Sequence, residues 1–171
     1  MIRLAFALIL LAGNAVAEEV EPLMNYERLG KILFALDPET QPHGPGFELT
    51  IADVTVLVVT DTNADRMRAM VAIGNASDLS PADLQRMMQA NFDSTLDARY
   101  AIANGILWAA FIHPLSRLDK EQLISGLAQT VNIAKTYGTL YSGGAAEYGG
   151  GDSQDLQLDL IEELLRKGDD I

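Results

Sequence analysis

The chain has 171 residues, no cysteine, and 24 acidic against 12 basic side chains, for a net charge of −12. Such a charge repels phosphate backbones and anionic lipid, which argues against nucleic-acid and membrane-surface roles. The missing thiols exclude disulfides, cysteine nucleophiles and cysteine metal sites, so the fold must stand on packing alone.

The opening stretch, "MIRLAFALILLAGNAVAEEV", sets one cation, Arg3, before an apolar run from Leu4 to Ala12 and a small-residue site at Ala15-Val16-Ala17. The run is shorter than the ~20 residues that span a bilayer. It reads as a secretory signal peptide over residues 1–17, so the expected mature chain is exported, periplasmic or secreted, with no membrane role after cleavage. A first amphipathic helix follows in "NYERLGKILFAL", with Tyr26, Leu29, Leu33 and Leu36 at helical spacing. "DPETQPHGPG" reads as a Pro- and Gly-punctuated loop. Three strands come next, "FELTI", "VTVLVVT" and "RMRAMVAI", the last two joined by a turn over Asp61 to Asp65.

"LSPADLQRMMQANF" carries the clearest helix start in the chain. Ser80 is placed to cap free amides, Pro81 sits where no N–H is needed, and Asp83 favours the positive end of the helix. Leu84, Met87 and Met88 form its expected buried stripe. A hairpin, "ARYAIANGILWAAFIHPL", turns at Asn104-Gly105, the pair suited to a type I′ turn, and Pro114 ends its second strand. A long helix then places Leu123, Leu127 and Val131 on one face. A Gly-rich linker, 143–151, leads to a C-terminal amphipathic helix, 152–171, whose apolar side holds Leu156, Leu160, Ile161, Leu164 and Leu165.

The order helix, three strands, helix, two strands, helix argues an α+β fold with an antiparallel sheet. The stretches "LSPADLQRMMQANF", "ARYAIANGILWAAF" and "HPLSRLDKEQLISGL", in that order, resemble the type III secretion chaperone-like superfamily, which holds the Tir chaperone and YbjN-like families. The resemblance spans about Asn25 to Tyr141, within an expected domain over residues 18–142. It implies an antiparallel five-stranded sheet with helices packed on it, polypeptide binding rather than catalysis, and frequent dimerisation. The export signal and the tethered last helix depart from the secretion chaperones, so the YbjN-like side is the nearer comparison.

The two-residue turn sets Ala103 opposite Ile106, Ile102 opposite Leu107, Ala101 opposite Trp108 and Tyr100 opposite Ala109. Alternation then gives the hairpin a core face of Ala98, Tyr100, Ile102, Leu107, Ala109 and Phe111. Its second face holds Arg99, Ala101, Ala103, Ile106, Trp108, Ala110 and Ile112, and is also largely apolar. Three coverings are open: a helix of the same domain, a partner or second subunit, or the C-terminal helix swung back on its linker. The candidate partner-binding residues are therefore Trp108, Ile106, Ile112 and Arg99, with Leu156, Leu160 and Leu164 of the last helix. The expected partner is another polypeptide, or this chain itself in a homodimer.

Chemical constellations are weaker. Asp61, Asn63 and Asp65 have the spacing that opens a calcium loop, but Arg66 and Ala72 stand where such a loop needs Gly and Glu. A plain hairpin turn accounts for them, with a calcium-dependent module as the outlying alternative. His43 and His113 have no paired ligand spacing, and no serine sits in a nucleophile elbow. The Gly-rich stretch lacks the ending of a phosphate loop. No catalytic, cofactor or metal residue is nominated. The competing class is a small-ligand-binding or hydrolytic envelope enzyme assembled from residues such as His113, Glu147 and Tyr148. Arg66, Arg68 and Arg99 remain, and surface ion pairing is their expected state.

Overall fold

The computed structural model describes residues 21–93, 95–136 and 153–168; the expected leader 1–17 and linker 143–151 lie outside the described residues. Helix α1 (Tyr26–Leu36) is followed by β1 (Gln41–His43), β2 (Gly46–Ile51), β3 (Val54–Asp61) and β4 (Arg66–Asn75). Then come α2 (Pro81–Asp93), β5 (Arg99–Ala103), β6 (Ile106–His113), α3 (Lys120–Thr136) and α4 (Ser153–Gly168). The strands form one sheet in the order β1-β2-β3-β4-β6-β5, and every pair is antiparallel. The α+β class and the order of the main elements follow the sequence reading. The sheet has six strands rather than five, because part of the stretch read as a loop pairs with β2 as β1. Pro42 is tolerated there because an edge strand has one side without ladder bonds.

Local chemistry explains where the helices begin. Asn25 Oδ1 accepts from the Arg28 amide at 2.8 Å and starts α1. At α2, Ser80 Oγ accepts from the Asp83 amide at 3.2 Å while Asp83 Oδ2 accepts from the Ser80 amide at 3.0 Å, a reciprocal cap. The hairpin turns with φ of 52° at Asn104 and 75° at Gly105, and its strands pair in the expected register. Strand β6 ends at His113, immediately before Pro114.

Helices α1 and α3 lie on one face of the sheet. Beneath them are Phe47 and Leu49 of β2, Val56 and Val58 of β3, Met67, Ala69 and Val71 of β4, and Leu107, Ala109 and Phe111 of β6, all buried. A Cβ on Gly126 would stand 2.5 Å from the Phe111 ring, so the missing side chain is what lets α3 approach β6. Two polar ties fix the β5 end. Tyr100 Oη donates to the Ile133 carbonyl at 2.8 Å, and Gln129 Oε1 accepts from the amides of Asp97 (2.8 Å) and Ala98 (3.1 Å). Each partner is buried or partly so, where an unmet polar group would be costly.

Two expectations about apolar residues are corrected. Among the described residues of α2 only Met87 and Ala90 are buried, whereas Leu84, Met88 and Phe92 are 38%, 58% and 75% exposed. The helix packs against β5 at the margin of the sheet, with these three side chains on its exposed side. Asn91 anchors it, donating from Nδ2 to the Tyr100 carbonyl and accepting the Tyr100 amide on Oδ1. Ile102, assigned to the core face, is half exposed, because it stands on the edge strand next to the turn.

Candidate protein-binding face

The opposite face of the sheet is built by the other half of each strand's alternation. Leu57 and Val59 of β3, Arg68 and Met70 of β4, Ile106, Trp108, Ala110 and Ile112 of β6, and Arg99 of β5 lie on it. Register aligns them in cross-strand rows. One runs Leu57, Met70, Ala110, Arg99, and the next runs Val59, Arg68, Ile112. Ile112 is 55% exposed, Trp108, Ile106, Met70, Leu57 and Val59 are partly exposed, and Ala110 is buried among them. The Trp108 indole Nε1 donates to the Ala103 carbonyl at 3.2 Å, which holds the ring over the hairpin. A same-domain helix over this face was one of the three coverings open from sequence; the sheet contacts of α1 and α3 lie on the other face.

The C-terminal helix is elsewhere. Helix α4 packs on α3 and α1, and Leu164 is buried in the core that they share. Leu160, Ile161 and Leu165 are partly buried against it, and the Lys120 Nζ donates to the Gly168 carbonyl at 3.0 Å. The side chain of Leu156 lies outside the described residues. The structure thus brings Trp108, Ile106, Ile112 and Arg99 together on one face, and separates them from Leu160 and Leu164, on the helical side. Alternation reveals each strand's two faces, but only the fold says which layer a helix joined by a linker will reach.

The arginines depart from the expectation of surface pairing. None of Arg66, Arg68 and Arg99 forms an ion pair with a carboxylate among the described residues. Arg99 donates to the carbonyls of Leu96 and Ala98 and to Thr95 Oγ1, and Arg66 donates to the Asp65 carbonyl at 2.8 Å. Arg68 is exposed, with no hydrogen bond among the described residues.

The Asp61 to Asp65 segment is a hairpin turn. Asp61 Oδ1 accepts from the amides of Asn63 and Ala64, while Asp65 reaches across to Ser116, accepting its amide at 2.7 Å and its hydroxyl at 2.9 Å. Those two bonds, followed by the charges of Arg66 and Arg117, hold the Asp65 carboxyl below its ordinary range. Among the described residues, no three His, Asp or Glu side chains converge as a metal site.

His113 keeps its Nδ1 2.8 Å from the Pro114 carbonyl and stacks on Phe111. It lines a depression of about 510 Å³ with Asp97, Arg99, Ile112, Gln122 and Ser125, where β6 runs on past the end of β5. Glu147 and Tyr148, its expected companions in an enzyme, lie outside the described residues.

No protein-family model matches the chain, and no curated protein matches it. Among solved structures, it is similar to the Yersinia pestis type III secretion chaperone SycH, in complex with a fragment of YscM2. That match has 19% identity and a TM-score of 0.48, covering 64% of this chain and 98% of the other. A chain of the HopA1–SchA chaperone–effector complex matches at 14% identity and a TM-score of 0.48, covering 64% and 92%. A chain of the ExsC–ExsE complex matches at 14% identity and a TM-score of 0.52, covering 67% of this chain and 94% of the other. The last of these carries the likeness, which is one of fold: an α+β domain of the kind found in the ExsC–ExsE complex.

Proposed function

We propose that this chain is a non-catalytic, chaperone-like polypeptide-binding module of the cell envelope, exported by its N-terminal segment and acting in the periplasm. The observation that carries the reading is the sheet face of Trp108, Ile106, Ile112, Met70 and Leu57, apolar at its centre and away from α1 and α3. Apolar patches of this kind mark sites of protein association, and tryptophan is a favoured anchor in them. The fold likeness to a chain of the ExsC–ExsE complex and the sequence resemblance both favour a polypeptide partner. Trp108→Ala tests it. The substitution is expected to weaken binding of a fluorescent apolar peptide by more than about 1 kcal/mol, read by anisotropy, with the melting temperature nearly unchanged. Unchanged binding with a collapsed melting temperature would make Trp108 a structural residue only.

Self-association, the other expectation, belongs on a different surface. A second copy seated symmetrically on the Trp108 face would bring the arginines of both copies into one interface, whereas Leu84, Met88 and Phe92 form an exposed apolar stripe at i, i+4, i+8 along α2. Light scattering is expected to give a dimer for the wild type and a monomer for Phe92→Glu. A wild-type monomer at every concentration would overturn the homodimer.

A further inference from the structure

We infer that the segment bound on the Trp108 face is an extended polypeptide in which apolar residues alternate with carboxylates; this rests on the face being the binding surface. The warrant is charge complementarity. The chain carries twice as many acids as bases, and Glu48 and Asp61 share this face while the Arg66 charge acts on Asp65. Yet none of the arginines on this face forms an ion pair with a carboxylate among the described residues. Arg68 stands directly between Val59 and Ile112 in the register and is exposed, without a hydrogen bond or ion pair among the described residues. Arg66 lies two residues along the same strand, on the same face, and among the described residues donates to a carbonyl, that of Asp65. With Val59, Met70, Ile112 and Asp61 they line a depression of about 350 Å³. Asp61 is opposite Arg66, but one of its carboxylate oxygens accepts the turn amides of Asn63 and Ala64.

Arg99 lies across the same face, opposite Ala110, and its acceptors among the described residues are neutral. The carboxylates of Asp97 and Glu121 line the neighbouring depression with it, but neither forms an ion pair with it. Strand spacing puts the Cα atoms of Arg68 and Arg99 roughly 12 Å apart, a span that three to four residues of extended chain cover. Apolar side chains between them would meet Ile112, Met70 and Trp108. A guanidinium held beside apolar surface donates strongly to a carboxylate, because water competes less there. A polyanion without apolar groups fits poorly, since the net charge of the whole chain repels it.

The test uses the whole mature chain and three labelled peptides of nine residues: leucine alternating with glutamate, its lysine-for-glutamate twin, and its serine-for-leucine twin. Anisotropy is expected to show the glutamate peptide binding about tenfold tighter than the lysine twin at low salt, the gap narrowing as salt rises. That preference runs against the net charge of the chain, which by itself attracts the lysine peptide. The serine twin should bind weakly. Arg66→Glu with Arg68→Glu should abolish or invert the preference, while Arg68→Lys should keep most of it.

Equal binding of the glutamate and lysine peptides, lost for both in Trp108→Ala, would overturn the carboxylate preference and leave the binding face standing. Glutamate-peptide binding indifferent to both Trp108→Ala and the double arginine variant would place the site elsewhere and overturn both, as would no binding of any peptide.

Discussion

The two faces of strand β6 are built from adjacent residues and live in different surroundings. Leu107, Ala109 and Phe111 are buried under α3, which comes close enough for Phe111 to fill the place of a side chain on Gly126. Trp108, Ala110 and Ile112, one position along each time, face away from that helix and lie beside arginines. Hydrophobicity alone does not separate the two sets. What separates them is complementarity: the inner face meets a matching helix, with its polar groups satisfied by Tyr100 and Gln129, while the outer face presents apolar bulk beside arginines that form no ion pair among the described residues. In the proposed reading, it is this outer surface that a polypeptide partner would cover.

The comparison can be broken by mutation, beginning with the inner face. Phe111→Ala is expected to cost about 3–5 kcal/mol in urea unfolding, because it leaves a cavity between β6 and α3 that Gly126 cannot fill. A loss under about 1 kcal/mol would mean that the inner face is no better packed than the outer one. Leu164→Ala probes the helical side, where α4 docks. Its expected cost is about 2 kcal/mol, toward the low end for a buried leucine because the outer edge of the helix layer can collapse onto the gap. No change in stability would mean that α4 does not hold to α1 and α3 in solution and is free to reach the Trp108 face. Ile112→Thr should change stability least, by no more than about 0.5 kcal/mol, as expected of an exposed position. A large loss would mean that the outer face is packed after all.

Much of the architecture was legible in the sequence for local reasons. Ser80-Pro81 with Asp83 marked the start of α2, and Asn104-Gly105 set the turn and with it the register of β5 on β6. Less was legible of the site. Alternation identified both faces of the hairpin and placed Trp108, Ile106, Ile112 and Arg99 on one of them. It could not show that Leu57, Val59, Arg68 and Met70 join that face, because β4 rather than β5 is the inner neighbour of β6, a long-range choice. Sequence spacing predicted burial for Leu84 and Met88 equally with Met87, since helical periodicity finds an apolar stripe without knowing how wide a surface will receive it.

The sequence by itself determined the α+β class, the strand and helix order, the hairpin pairing and the turn over Asp61 to Asp65. Each depends on residues close in the chain, through capping, positive φ and the two periodicities. Only the tertiary structure decided the sheet order, the sixth strand, the seat of α4 away from Trp108, and the absence of carboxylate partners for Arg66, Arg68 and Arg99 among the described residues. Those depend on which surfaces meet across long stretches of chain. There, burial of apolar area and satisfaction of polar groups are settled between elements rather than within them.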